Sequence, residues 1–296
     1  MFVSGTKCIS QIQQNTYTLS LLATGGNVEV FTYDLRVDKP CSICPGDKPG
    51  LMEFYYVLEG NAILKLDGGD TMLGPGEHFY VYNLKSNISF TTSNGAKLLC
   101  VTSQPSFNAL REFHESLCKL LEGAEAKDLY TYNHGSRVQM YSLKIGELMG
   151  IPHSNIFTLQ VASLFHDIGK YHVPDSILNK PGRLTDEEFD CIRKHPEHGV
   201  NLLKGRFEEP ILTAVAQHHE RLDGSGYPAG LKAGQIVPEA RIIAVADAFD
   251  AMTTDRAYRS AKKASEAMEE LENLSTQYDG DMVQALRCHL KNTGEI

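Results

Sequence analysis

Apolar and polar positions alternate along the first third of the chain. Ala62, Leu64 and Leu66 take every second position of Asn61–Leu66, and Asn27–Leu35 alternates more loosely. This is the period of strands that bury one face. Glycine-rich turns at Asp67-Gly68-Gly69 and Gly74-Pro75-Gly76 punctuate the runs. Residues 1–105 are therefore expected to form a small antiparallel β-barrel or sandwich of short strands. The period changes near Pro105. Leu110, Phe113, Leu117, Leu120 and Leu121 keep a three-four spacing, which predicts an amphipathic helix over 106–122 inside a connector that reaches residue 127. The stripe spans fewer than three heptads. It supports two expectations: packing on its own domain, or a short coiled coil in a homodimer.

Beyond Gly123 the pattern is helical throughout. Val138, Tyr141, Ile145, Leu148 and Met149 form one apolar stripe, and Val161, Leu164, Phe165 and Ile168 form the next. Thr185-Asp186-Glu187-Glu188 has the form of a capping box, in which Thr and Glu satisfy each other's orphan amides at a helix start. Pro210 and Pro238 stand where a first helical turn tolerates proline. The expected fold class is a multidomain α and β protein: a β-barrel at 1–105, a connecting helix at 106–127, and an all-α domain at 128–296.

Composition narrows the function classes. A chain of 296 residues with 42% hydrophobic and 22% charged content suits two soluble domains. A net charge of −9 argues against a grip on long DNA or RNA, which needs a basic face. It leaves room for a small anionic substrate, because bound metals can supply local positive charge. MFVSGTKCIS carries no apolar signal-peptide core, and no run reaches the ~18 apolar residues of a membrane helix. A cytoplasmic protein without membrane contact is expected. Seven scattered cysteines fit reduced thiols, and Cys41-Ser42-Ile43-Cys44 lacks the context of a redox or zinc pair.

The candidate chemistry lies in the helical part. Nine of the eleven histidines fall between His134 and His289. His134, His166-Asp167, His195 and His218-His219 sit at ends of apolar helices, with Asp247 on a later one. Adjacent His-Asp followed by adjacent His-His is hard to explain as packing. Neutral imidazoles and carboxylates are the ligands of Fe, Mn or Zn. Two ions ~3.5–4 Å apart can share a hydroxide and aim it at phosphorus.

The motifs then read together: His166-Asp167-Ile168-Gly169-Lys170, His195-Pro196-Glu197-His198-Gly199, His218-His219-Glu220-Arg221-Leu222-Asp223-Gly224-Ser225-Gly226-Tyr227-Pro228, Ala246-Asp247-Ala248-Phe249-Asp250, and Asp255-Arg256-Ala257-Tyr258-Arg259. Over about residues 128–296 the chain resembles the HD-GYP family, a branch of the HD phosphohydrolases. The resemblance implies a helical domain that hydrolyses cyclic di-GMP to linear pGpG, in some members onward to GMP. It implies two divalent ions, Fe or Mn. One would take His134, His166, Asp167 and Asp247, and the other Asp167, His195, His218 and His219, with Asp167 as the bridge. Lys170 matches a lysine near the scissile phosphate. Gly224, Gly226, Tyr227 and Pro228 match the signature loop, and Arg256, Tyr258 and Arg259 match residues that hold the substrate's phosphates and bases. Ala257 replaces the usual proline. Tyr130 stands where trimetal members place a carboxylate, so two ions are expected.

The N-terminal part resembles a cupin. Glu53 precedes Tyr56-Val57-Leu58-Glu59-Gly60 in the manner of the first cupin motif, and Gly69, Pro75-Gly76 and His78 resemble the second. The His-x-His pair of the cupin metal site is missing near Asp47-Lys48-Pro49. A barrel without the metal follows, with Glu53 and His78 as candidates for a small-molecule effector pocket. A sensor wired through the 106–122 helix is the expected arrangement. Two alternatives stay open: a cyclic di-GMP receptor or docking module that has lost turnover, and a hydrolase of another cyclic dinucleotide such as cyclic GMP-AMP.

Overall fold

The computed structural model describes residues 8–14, 17–37, 41–46, 49–66, 68–127, 134–255 and 260–296. Tyr130 and the Arg256-Ala257-Tyr258-Arg259 stretch lie outside the described residues. The chain divides into two compact units. One comprises Met1–Cys118 with Pro152–Phe157, and the other Lys119–Ile151 with Thr158–Ile296.

The first unit is antiparallel β-structure. Its strands are β1 (Ser10–Gln13), β2 (Tyr17–Gly25), β3 (Val28–Leu35), β4 (Cys41–Ile43), β5 (Met52–Gly60), β6 (Ala62–Lys65), β7 (Thr71–Leu73), β8 (His78–Tyr82), β9 (Ile88–Thr91) and β10 (Ala96–Thr102). They form a six-stranded sheet in the order β1-β2-β3-β10-β5-β8 and a four-stranded sheet in the order β4-β9-β6-β7. Pairing among the described residues therefore divides the strands between two sheets and does not run around a closed barrel. The alternating pattern does its expected work. Leu19, Phe31, Tyr55, Phe90 and Leu98 are buried in one core, each full burial being worth roughly 1.5–3 kcal/mol.

The strand register corrects one expectation. β5 and β8 pair Glu53 with Val81 and Tyr56 with His78. Residues 53, 55 and 57 face the core, so His78 stands on the other face with Tyr56. There it is exposed and lies 5.3 Å from the ring of Phe54. Glu53 and His78 cannot line one pocket.

Helix α1 (Phe107–Lys127) follows β10. Its first amides are satisfied by a carboxylate: buried Glu29 accepts from Ser106 N and Phe107 N, both at 2.8 Å. An anion at this helix end also complements the macrodipole.

The second unit is helical. It contains α2 (His134–Met149), most of α3 (His153–Phe165), a 3-10 turn at Ile168–His172, α4 (Asp175–Leu178), α5 (Asp186–Arg193), α6 (His195–Leu203), α7 (Glu209–Gln217), α8 (Pro238–Thr253), α9 (Ala264–Asn273) and α10 (Gly280–Thr293). The Thr185–Glu188 capping box forms at the start of α5. Pro210 and Pro238 occupy the first turns of α7 and α8. Helix α8 is apolar nearly all round, as a central helix must be. Ile242, Ile243, Val245, Ala246 and Phe249 are buried, and α8 packs along α2 with Phe249 edge-on to Tyr141 at 5.1 Å. Among the described residues no helix is long and apolar enough to cross a membrane.

Candidate active site

Three histidines stand just past helix ends, and their first task is local. The last carbonyls of a helix have no intrahelical partner. His166 follows α3, and its Nδ1 donates to Ser163 O at 2.7 Å. His195 follows α5, and its Nδ1 donates to Ile192 O at 2.9 Å. His218 caps α7, and its Nδ1 donates to Val215 O at 2.7 Å. Each imidazole thus bonds the carbonyl three residues upstream, as basic side chains at helix C-termini do. A carbonyl only accepts, so the proton sits on Nδ1 and each Nε2 keeps a lone pair directed away from its helix. His134, at the start of α2, is tethered by another route: its Nδ1 donates to Asp250 Oδ2 at 2.7 Å.

These Nε2 atoms converge on two carboxylates. Asp167 Oδ1 lies 3.2 Å from His195 Nε2, and its Oδ2 lies 3.5 Å from His166 Nε2 and 3.6 Å from His134 Nε2. Asp247 Oδ1 is 3.3 Å from His134 Nε2 and 3.9 Å from His166 Nε2. Ligand atoms of Asp167, His195, His218 and His219 all lie within 4.8 Å of one another, and so do those of His134, His166 and Asp167. Asp167 belongs to both groups and offers a different oxygen to each side.

Buried acceptors that face only acceptors repel each other unless positive charge lies among them. His195 Nε2 and His218 Nε2 approach to 3.2 Å, although both rings donate through Nδ1. His166 Nε2 is buried without any hydrogen-bond partner. Lys170 supplies one charge, its Nζ donating to Asp167 Oδ2 at 2.7 Å. Burial alone would raise the Asp167 carboxyl, but the Lys170 ammonium beside it and the surrounding imidazoles hold it well below the usual carboxylate range. Burial also opposes charge on His134, yet Asp247 at Nε2 and Asp250 at Nδ1 push it up to about 9, so a cation taking Nε2 displaces a proton there. Burial keeps His218 and His219 neutral, aided by their imidazole neighbours. Tethered Nδ1 atoms, free Nε2 lone pairs and a shared carboxylate fit divalent metal ions, whose histidine ligands regularly donate the other ring N–H to a carbonyl or carboxylate.

The loop after His219 is fixed by a buried carboxylate. Glu220 accepts from Ala229 N at 2.7 Å through Oε1 and from Leu231 N at 2.8 Å through Oε2. The loop turns so sharply at Gly226 that a Cβ there would meet Arg221 N, Glu220 Cα and His219 O at 2.4–2.5 Å. Tyr227 N donates back to His219 O, and the Tyr227 ring stacks on His219 at 4.7 Å. Gly224 and Pro228 lie on the same loop. Arg193 of α5 spreads its guanidinium 5.5 Å over the Tyr227 ring.

Of the residues singled out in sequence, His134, His166, Asp167, Lys170, His195, His218, His219 and Asp247 come together, with Tyr227 against His219. Arg256, Tyr258 and Arg259 lie outside the described residues. The rings of His172 and His198 lie 5.4 Å apart beside the site. Three contributors escaped the sequence reading. Asp250 orients His134 and pairs with Arg137 at 2.5 and 2.9 Å. Its spacing of three from Asp247 on one helix face was the available signal. Gly169 lets the 3-10 turn touch α6: a Cβ there would fall 1.9 Å from His195 O and 2.4 Å from Gly199 N. Glu220 holds the loop from inside the His218-His219-Glu220 run.

A model of the HD domain family matches residues 121–282, more than half of the 296-residue chain. Among curated relatives, a cyclic di-GMP phosphodiesterase of Thermotoga maritima is 41% identical over 194 residues, 64% of this chain and 52% of the relative. A cyclic di-GMP phosphodiesterase of Pseudomonas aeruginosa is 37% identical over 61% of this chain and 44% of its own. A 3'3'-cGAMP-specific phosphodiesterase of Vibrio cholerae is 39% identical over 55% of this chain and 32% of its own. The chain spans about half, or less, of the length of these relatives. All seven converging histidine and aspartate side chains lie inside the matched stretch, and the chain belongs to the HD domain family.

Proposed function

We propose that the chain is a metal-dependent phosphodiesterase that cuts a cyclic dinucleotide, cyclic di-GMP first, to the linear dinucleotide pGpG. One observation carries the reading. Four buried imidazoles, each tethered through Nδ1, turn Nε2 lone pairs toward Asp167 and Asp247 in a space that calls for cations. The curated relatives, named as cyclic di-GMP and cGAMP phosphodiesterases, support the substrate class.

In this reading two ions, Fe or Mn, are held by His134, His166, Asp167 and Asp247 and by Asp167, His195, His218 and His219. Bound there, they would lower the pKa of water and offset charge developing on the phosphoryl oxygens. The chain's own groups do the rest. Asp250 and the three helix-end carbonyls keep the imidazole tautomers fixed. Lys170 partly neutralises Asp167 and stands ready to balance charge on a phosphate. The loop carrying Gly224, Gly226, Tyr227 and Pro228 walls the site beside His219, and Arg256, Tyr258 and Arg259 grip phosphates and bases. The division into 1–105, 106–127 and 128–296 is kept as a functional one: a cupin-like sensor for a small-molecule effector, a connector able to mediate a homodimer, and the hydrolase. Work in the cytoplasm, without membrane or long nucleic acid, completes the reading.

The cGAMP-specific relatives favour a second substrate, and one experiment separates the readings. Full-length protein loaded with Mn or Fe is incubated with cyclic di-GMP or 3'3'-cGAMP, and the products are resolved by chromatography. Linear dinucleotide from cyclic di-GMP, lost in Asp167→Ala, is the expected result. Turnover of 3'3'-cGAMP alone would change the substrate. Two metals per chain without turnover of either would leave a receptor.

A further inference from the structure

Two histidines of the helical unit take no part in the candidate metal centre. His172 closes the 3-10 turn Ile168–His172, and His198 lies in α6. Their rings stand 5.4 Å apart, inclined at 73°. The candidate metal centre supplies a ruler for that spacing. There the pairs His134–His166, His166–His218, His195–His218 and His195–His219 measure 5.2, 5.1, 5.2 and 4.9 Å between ring centres. Two imidazoles sharing one tetrahedral ion, each through a nitrogen about 2.0–2.1 Å from it, bring their ring centres to about 5 Å.

The spacing is built into the backbone. In a 3-10 helix residues i and i+3 eclipse, so His172 stands on the face of the turn that Gly169 presents. That face meets α6 with no room for a side chain, since a Cβ on Gly169 would fall 1.9 Å from His195 O and 2.4 Å from Gly199 N. His198 precedes Gly199 and stands about one helical turn after His195. The contact that seats the turn on α6 therefore also seats the two rings against each other, on elements rigid enough for a metal site.

An edge-on ring contact does not account for the pair. His198 Nδ1 is buried without a hydrogen-bond partner, the mark that His166 Nε2 carries in the candidate metal centre. A buried polar atom in this state calls for a partner. Burial, and next the neighbouring His172, hold the His198 imidazole below its ordinary pKa, which favours the neutral form that a metal ion requires. Among the described residues no third ligating side chain joins the two rings. His172 is exposed, so water completes the coordination sphere.

Ligand type selects the ion. The candidate metal centre offers carboxylates beside its imidazoles, whereas this pair offers nitrogen alone. Ca, Mg and Mn prefer oxygen ligands, imidazole suits Ni, Cu and Zn, and affinity rises along the series from Mn to Cu. We propose that His172 and His198 form a separate, solvent-open site for a late divalent transition ion: Ni, Cu or Zn. An ion there clamps the turn that carries Lys170 to the helix that opens with His195. The assignment needs only the fold of the helical unit and stands independently of what that unit hydrolyses.

The test uses the full chain, loaded with Mn, and nickel chloride as probe, read by equilibrium dialysis and elemental analysis. The parent is expected to hold one Ni more per chain than His172→Ala or His198→Ala. Its Kd should be about 0.1 mM or tighter, and at least about tenfold weaker in each variant. Both variants should keep the parent's Mn content before Ni is added. Asp167→Ala, which breaks the proposed bridge, should still take the extra Ni, so failure of this site and failure of the hydrolytic reading give different results. The His172→Ala arm decides alone if another variant does not fold, because that ring is exposed. Equal Ni in the parent and in folded His172→Ala, loss of the ion in a folded Asp167→Ala, or a Ni difference matched by lost Mn would each overturn the assignment.

Discussion

Replacing Asp250 by alanine should weaken the site without touching any proposed metal ligand. Asp250 is 1% exposed, accepts from His134 Nδ1 at 2.7 Å, and pairs with Arg137. Removing it strands a buried N–H, at a cost of about 1–3 kcal/mol. Arg137 adds little, because a side chain one-third exposed can turn to water. The metal-free protein should therefore lose about 2–3 kcal/mol in urea unfolding. The larger diagnostic is affinity. With His134 free to rotate or change tautomer, Mn binding should weaken about 10–100-fold, or about 1.4–2.7 kcal/mol, as for other supports of metal-ligating histidines. Chelator competition monitored by calorimetry measures this. Asp250→Asn keeps an acceptor for Nδ1–H and should recover most of the affinity while leaving Arg137 without its charge partner. If Asp250→Ala loses stability but binds Mn within about twofold of the parent, packing alone orients His134 and the argument from its tether is wrong.

Glu220→Gln presents an amide N–H₂ to a loop amide that needs an acceptor. It should cost about 1.5–3 kcal/mol and raise KM through Tyr227 while metal content stays unchanged, as read by elemental analysis and steady-state kinetics. Gly169→Ala should drive the 3-10 turn off α6, lowering stability by about 1–3 kcal/mol or more and weakening Mn binding through His195. A variant as stable as the parent would show that the contact yields freely. Glu53 binds protons more tightly folded than unfolded, since burial raises its pKa from 4.5 to about 6. Its contribution is thus fully present below pH 4.5, declines as pH rises to 6, and stays level above. Glu53→Gln should remove that slope and stabilise the chain at pH 7 by at most about 2 kcal/mol, less where solvent screens the group. Urea titrations across the pH range check the sign.

The chemistry-bearing positions were legible because each is tied to a helix end, and helix ends leave marks in sequence. His166, His195 and His218 close apolar runs, and the Thr185 box and Pro238 open new ones, so the elements could be counted and the donors placed on them. What escaped depends on three-dimensional neighbours. Gly169 reads as an ordinary helix breaker until His195 O is found against it. Asp250 and Glu220 act through His134 and the loop amides, partners 116 residues and 9–11 residues away. In the β-unit the alternation located the strands, but pairing Glu53 with His78 required the parity of the β5–β8 register, which the turn between them does not reveal. The Arg256–Arg259 segment lies outside the described residues, so its part in the site stays with the sequence argument.

The bond from each helix-end imidazole to the carbonyl three residues before it has a consequence for how this chain can vary. Aim and tautomer are set within a single turn of helix, so α3, α5 and α7 act as rulers whose final marks carry the donors. One residue inserted into the last turns of any of them would swing the following histidine by about 100°, out of reach of Asp167, even if every side chain of the site were retained. Stretches such as 179–184, between α4 and α5, close no donor-bearing helix, so a length change there leaves the donors in place. Homologous chains should then show gaps there and none in the closing turns, a pattern that substitution counts at the ligands alone would miss.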